Sequence, residues 1–296
     1  MIVSNSDIHI SLAQKVKAFY ELAKFRLSMT VVFSASFGYL LAIQKPVHWI
    51  NFILFAIAGF LLTAAANTVN QIKEKELDKL MRRTARRPLP TGRITVPEAW
   101  TMVALTLAIA LTIFITVFNY RAAAIALLSF ILYGFVYTPL KRVGPIAVFV
   151  GAFPGAFPPM IGWVAATNHF GWEPGILFAI QFFWQFPHFW AIAWVADDDY
   201  RRAGFKLLPA QGKKGFDTAI QIMIYTLFLL PLSWVPLQLG MTGVNSAIIA
   251  MICGILFLAQ TFHLIRKQTD KAALQMMFGS FLYLPAVQIA FLLDKV

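Results

Sequence analysis

Asn70, Glu74 and Asp78 recur every four residues where an apolar run ends, in the stretch NQIKEKELDKLMRRTARRPLP at 70–90. On a continued helix each is turned about 40° from the one before and shifted about 6 Å along the axis, so the three form one stripe of oxygen donors. Such donors suit Mg²⁺, which keeps several waters and binds through one or two carboxylates plus substrate phosphates. Glu76 faces the other way. The same spacing also describes a solvated helix end with local ion pairs to Lys79, Arg82 and Arg83. Two features favour chemistry: acids at the end of a membrane span are costly and usually functional, and a second acidic group, Asp197, Asp198 and Asp199, ends another apolar run.

The bases follow the same pattern. Arg82, Arg83, Arg86 and Arg87 lie within one or two turns of the stripe, and Lys141, Arg142, Arg201, Arg202 and Lys206 stand at neighbouring span ends. Carboxylates holding Mg²⁺ beside guanidinium groups describe a site for a polyanion such as diphosphate. Much of this basic charge also serves topology, so only a few of these residues are assigned to substrate. A diphosphate at the mouth of an apolar bundle places the rest of the substrate in the membrane, and a prenyl diphosphate fits. Ionising its allylic C–O bond puts negative charge on the leaving group, which cations stabilise, while an apolar chamber keeps water from the carbocation.

The elements that must position these groups are membrane spans. Of 296 residues, 59% are hydrophobic and 13% charged, far from the roughly one-quarter charged of a soluble domain. Nine windows are long enough to cross a bilayer: 27–45, 50–69, 99–118, 122–140, 145–167, 173–196, 217–239, 244–265 and 274–293. The fold expected is all-α and integral to the membrane, a bundle of nine transmembrane helices in one polytopic domain over 1–296. Of the 25 Lys and Arg residues, 22 fall on one side, leaving Lys45, Arg121 and Lys295 opposite. The positive-inside rule therefore puts the N-terminus in the cytoplasm, with 1–26 as a cytoplasmic segment and charged cytoplasmic loops near 70–97 and 197–216. The net charge of +12 is thus topological, and no nucleic-acid partner is expected. The first eighteen residues, with Asp7, His9 and Lys15, contain neither an apolar signal core nor an Arg-rich transit pattern. The lone Cys253 excludes an internal disulfide and a thiolate metal cluster. The two acidic groups are four spans apart, which raises a duplicated four-helix unit.

At these residues the sequence resembles the UbiA superfamily of intramembrane prenyltransferases. The resemblance rests on the 70–90 stretch, similar to the family's N-x-x-x-D-x-x-x-D, on YTPLKR (137–142), on GAFPGAFPPMIGW (151–163) and on FWQFPHFWAIAWVADDDYRRAGFKLLP (183–209). The last two blocks resemble the branch that acts on heme. The resemblance implies a nine-helix bundle that uses Mg²⁺ and farnesyl diphosphate to convert heme B, a substrate rather than a resident cofactor, to heme O. It implies that Asn70, Glu74 and Asp78 form the first Mg²⁺–diphosphate motif, and Asp198 and Asp199 the second. Tyr137, Lys141 and Arg142 would contact diphosphate, with Arg82, Arg87 and Arg202 as further substrate contacts. The bilayer of a bacterial inner membrane is the expected setting, and a heme A synthase or an oxidase assembly protein is the protein partner expected.

Two departures stand out: Glu74 and Glu76 replace the more common Asp, and GPIAVFVG lacks a polar residue after the Lys-Arg pair. His188, in QFPHFW, has two readings. It contacts the heme iron or a propionate, or it is a structural histidine pairing with Gln185 or with a carbonyl freed by Pro187. Two other functions compete: an aromatic-acid prenyltransferase of quinone synthesis, which would share the metal site, and a transporter with acidic gates. Transporters place coupling sites near midplane, whereas these acids gather at one face.

Overall fold

The computed structural model describes residues 11–44 and 46–296. Asp7, His9 and Lys45, and the first part of the segment 1–26, lie outside them. Among the described residues, nine helices are long and apolar enough to cross a membrane. Helix α1 (Leu12–Leu22) precedes them. The spans are α2 (Phe25–Ala42), α3 (Trp49–Asp78), α4 (Val96–Phe118), α5 (Tyr120–Leu140), α6 (Ile146–Thr167) and α7 (Trp172–Val195). After the short α8 (Asp197–Arg202) come α9 (Phe216–Gln238), broken after Leu227 and Leu232, α10 (Val244–Lys267) and α11 (Asp270–Leu293).

Two differences from the sequence-based expectation concern the charged end. The segment expected as a loop near 70–97 begins as helix, because nothing breaks α3 before Asp78 and the acidic stripe continues the span. The N-terminal segment contains α1, whose Ser11 and Gln14 form a reciprocal capping box. Ala18 and Leu22 bury one face of α1 against Leu89, Ile94 and Ala99, and its ion pair Glu21–Arg93 (2.7 Å) ties it to the loop after α3.

The most buried span is α6, and its sequence explains how it packs. Three prolines, Pro154, Pro158 and Pro159, sit inside it. Each removes a donor from the helix ladder, so in a membrane the freed carbonyls need side-chain partners. Pro158 frees the carbonyl of Pro154, which accepts Ser129 Oγ (3.2 Å) from α5. Pro159 frees that of Gly155, which accepts Gln181 Nε2 (2.7 Å) from α7. Gln185 Nε2 also ties α7 to α6, donating to the Ala152 carbonyl (2.8 Å), which is not one of those the prolines free. Ser129 and Gln181 thus replace two of the ladder hydrogen bonds that the prolines remove. On its other side α6 meets α2 at backbone distance: a Cβ on Gly162 would lie 2.0 Å from the Ala35 carbonyl, and one on Gly38 2.0 Å from that of Pro159.

This close approach is testable. Gly162→Ala forces α2 and α6 apart at a rigid backbone and is expected to cost about 1–3 kcal/mol, lowering the melting temperature in detergent. Gly59→Ala, where an added Cβ meets only Val32 Cγ2 at 3.7 Å, should leave it unchanged.

Candidate active site

Helix α3 has 30 residues and is therefore about 45 Å long, against about 30 Å of hydrocarbon. Its last turns, which carry the acidic stripe, extend past the apolar layer at the basic end of the bundle. Asn70, Glu74 and Asp78 all face inward, with 2%, 4% and 0% of their surface exposed. Glu76 is turned outward and pairs with Lys79 (2.6 Å).

Each member of the stripe meets a cation from a different segment. Lys24 Nζ donates to Asn70 Oδ1 (3.4 Å), while Asn70 Nδ2 donates to Thr138 Oγ1 (3.1 Å). Lys141 Nζ, at the end of α5, lies 2.8 Å from Glu74 Oε1. Arg87 Nη1 donates to both oxygens of Asp78, at 2.9 and 2.8 Å. Two carboxylates and an amide thus face two lysines and an arginine in a buried place. Burial, reinforced by Arg87 and Lys141, pushes the Lys24 ammonium down to about 7 against the pull of Glu74 and Asp78.

Local structure holds these groups. Lys24 has φ 48° at the α1–α2 junction, a conformation uncommon for a long side chain. Amides of α3 clamp that junction: Gln71 Nε2 donates to the Leu22 carbonyl (2.8 Å) and Asn67 Nδ2 to Ser28 Oγ (3.3 Å). On α5 the turn Leu132–Tyr137 is widened to i→i+5 pairing, as is common at functional sites. It brings the Tyr137 ring beneath Lys141 Nζ, 4.7 Å from the centroid. Gly151 makes room for that ring, since a Cβ there would lie 2.6 Å from Tyr137 Cδ2.

The second acidic group meets the first. Asp199 accepts the backbone N–H groups of Arg82 and Arg83, both at 3.3 Å, and Arg202 Nη1 at 3.3 Å. It therefore fixes the loop between Asp78 and Arg87. Asp197 is the buried member and pairs with Arg201 (2.8 Å); Asp198 is exposed. Arg142 is also exposed, with its backbone N–H on the Pro139 carbonyl. Asn70, Glu74, Asp78, Arg87, Tyr137 and Lys141 converge, Asp199, Arg82 and Arg202 form the adjoining rim, and Asp198 and Arg142 lie at the surface.

His188 sits apart, about 10 Å along α7 from its end at Val195. Its partner is Ser280 of α11, with Nδ1 2.8 Å from Oγ, rather than Gln185, whose amide serves α6. The Ser280 hydroxyl proton goes to the Met277 carbonyl (2.6 Å), which assigns the imidazole proton to Nδ1 and leaves Nε2 its lone pair. The ring stacks on Trp184 at 4.4 Å.

Among the described residues no three His, Cys, Asp or Glu side chains gather into a protein-only metal cage. Two carboxylates and an amide leave most of a cation's coordination to water and phosphate, the usual arrangement for Mg²⁺. Glu74 Oε1 tests the fit: it is buried, and its one polar neighbour among the described residues is the Lys141 ammonium at 2.8 Å. A buried carboxylate oxygen held by a single ammonium has lone-pair capacity left for a hard cation.

Comparison with known proteins decides the family: the pattern described as "UbiA prenyltransferase family" matches residues 31–284. The chain belongs to the UbiA prenyltransferase family. It is 57% identical over 286 residues to a protein from Cytophaga hutchinsonii named protoheme IX farnesyltransferase, covering 96% of this chain and 100% of that one. A mitochondrial protein of the same name from Arabidopsis thaliana is 34% identical over 95% of this chain and 65% of its own length. Solved structures share the fold. One, of a digeranylgeranylglyceryl phosphate synthase, has TM-score 0.79 at 22% identity, covering 95% of this chain and 98% of that one. Another, of a UbiA homolog from Archaeoglobus fulgidus bound to GPP and Mg²⁺, has TM-score 0.70 at 16% identity, covering 93% and 99%.

Sequence reasoning missed Lys24, which reads as a topological flank before the first span. It also missed Thr138, whose hydroxyl orients Asn70 and in turn donates to the Tyr133 carbonyl (2.9 Å). Arg87→Gln leaves the Asp78 carboxylate buried without its cation and is expected to cost about 3–5 kcal/mol, read as a drop in melting temperature. Adding Asp78→Asn to that variant should restore much of the loss.

Proposed function

We propose that this UbiA-family chain transfers a farnesyl group from farnesyl diphosphate to a vinyl group of heme B, with addition of water, giving heme O and diphosphate. The observation that carries the prenyl-diphosphate half is the buried stripe of Asn70, Glu74 and Asp78 faced by Lys24, Lys141 and Arg87 at the mouth of the bundle. The acceptor rests on the name borne by relatives 57% and 44% identical over nearly the whole chain.

In this reading Asn70, Glu74 and Asp78 hold Mg²⁺, with Asp199 positioning the neighbouring loop and Asp198 free to approach from the rim. When bound, Mg²⁺ neutralises charge on the diphosphate as the allylic C–O bond breaks. Lys24, Lys141, Arg87 and Arg202 bind the diphosphate oxygens and stabilise the charge that develops there. Tyr137 and Gly151 keep Lys141 aimed at the leaving group. A ladder of rings descends the α6–α7 seam from this end, pairing Phe149 with Phe186, Phe153 with Phe182 and Phe157 with Phe178 at 6.2, 5.1 and 5.4 Å. It offers a π-rich, water-poor wall for the isoprenoid and its cation. The vinyl π pair forms the new C–C bond to farnesyl C1, leaving a cation on the carbon attached to the porphyrin. Water adds there and loses a proton, producing the hydroxyethylfarnesyl side chain. In this reading His188, whose Nε2 keeps its lone pair while Nδ1 is held by Ser280, is the residue that meets heme within the bundle.

The basic end faces the cytoplasm of a bacterial inner membrane in this account, which puts the N-terminus inside. The product is an amphiphile that stays in the membrane, so the partner class is a membrane enzyme or oxidase assembly protein that receives heme O.

Incubating the purified protein in lipid with heme B, farnesyl diphosphate and Mg²⁺, then analysing extracted heme by mass spectrometry, tests the proposal. A product heavier by the hydroxyethylfarnesyl increment is expected, lost with EDTA and in a folded Asp78→Asn variant. Unchanged heme, with diphosphate released when an aromatic acid is supplied instead, would contradict the acceptor and leave the diphosphate site standing.

A further inference from the structure

The last two spans leave a groove of about 540 Å³ on the exposed side of the bundle, with no residue of the acidic stripe in its lining. Helix α10 lines it with Ala259, Gln260 and His263, and α11 with Gln275, Phe278 and Leu282. At the basic end α10 finishes on Arg266 and Lys267, and Lys271 lies in the first turn of α11, all exposed. None of these three cations is in an ion pair among the described residues; the adjacent Asp270 is occupied by Lys214 (2.7 Å) and by Trp194 Nε1 (3.1 Å).

Helical phase aligns the cations with the groove. Gln260, His263 and Lys267 share one face of α10, and Lys271, Gln275, Phe278 and Leu282 one face of α11. Polarity then falls with depth. Full charges stand at the end, His263 and Gln275 come about 6 Å below Lys267 and Lys271, and Phe278 and Leu282 line the floor at about 10–16 Å. Gln260 lies beside that floor, and its buried Oε1 accepts no hydrogen bond; its amide rests against Gly279, where a Cβ would come within 2.0 Å.

We infer that this groove binds one anionic phospholipid. Arg266, Lys267 and Lys271 take the phosphate, His263 and Gln275 donate to the ester carbonyls, and an acyl chain runs along Phe278 and Leu282. The polar layer between cations and apolar floor matches the glycerol–ester layer of such a lipid. Heme, the other anionic amphiphile in this account, lacks that layer.

The test is native mass spectrometry of the full chain released from bilayers of equal phosphatidylglycerol and phosphatidylcholine, with melting temperature as the folding control. The wild type should retain one phosphatidylglycerol. Lys267→Gln/Lys271→Gln should bind it about 30-fold more weakly, at about one charge's worth of surface attraction per lysine. Lys17→Gln/Lys213→Gln, which removes the same charge elsewhere, should retain it. Equal retention by both double variants, or equal retention of phosphatidylcholine, overturns the proposal. So does displacement of the lipid by heme B with a Soret shift that His263→Ala abolishes, which would give the groove to heme.

Discussion

Burying Glu74 and Asp78 at the end of an apolar bundle is tolerable only if each carboxylate is met by a cation, because an unpaired buried charge costs several kcal/mol. That requirement reaches through much of the structure. Lys141 faces Glu74 only because α5 widens its last full turn and Gly151 leaves space for Tyr137. Arg87 faces Asp78 only because the loop between them is fixed by Asp199 from α8. Lys24 reaches Asn70 only because amides of α3 clamp the α1–α2 junction. The third basic group, Lys24, faces a neutral amide beside Arg87 and Lys141, and burial there disfavours its proton; a bound anion would restore it.

A comparable economy governs the apolar body. Prolines in α6 give up main-chain hydrogen bonds, Ser129 and Gln181 on the neighbouring helices replace two of them, and Gln185 adds a further contact from α7. These contacts set α6 against α5 and α7, while Gly38 and Gly162 let α2 close on its other side. The phenylalanine ladder between α6 and α7 and the Tyr137–Lys141 pair at the top therefore belong to one rigid seam. Positioning at the polar mouth and shaping of the apolar wall are coupled through the same helix.

The spans were legible because length and apolarity alone define them, and the stripe was legible because four-residue spacing survives on any helix. Three consecutive acids are harder to read. Successive residues on a helix point about 100° apart, so the sequence cannot say that Asp197 is the buried one, that Asp199 grips the preceding loop or that Asp198 faces outward. Lys24 was illegible for a different reason: a base before the first span serves topology equally well, and only the left-handed backbone at the junction turns it inward. The partner of His188 was a tertiary matter, decided by where α11 places Ser280. Helix α1 was missed because an eleven-residue segment is too short to be a span, and its cap and buried face become informative only beside the loop it covers.

The central claim is that this site is built from acid–cation pairs that a metal–diphosphate complex replaces together, rather than from a ready-made metal cage. Titration calorimetry with Mg²⁺, in the presence and absence of an unreactive farnesyl thiodiphosphate, tests it most directly. The account predicts saturable Mg²⁺ binding only when the diphosphate analogue is present, and a much weaker analogue affinity without the metal. Tight stoichiometric Mg²⁺ binding to the protein alone would contradict it.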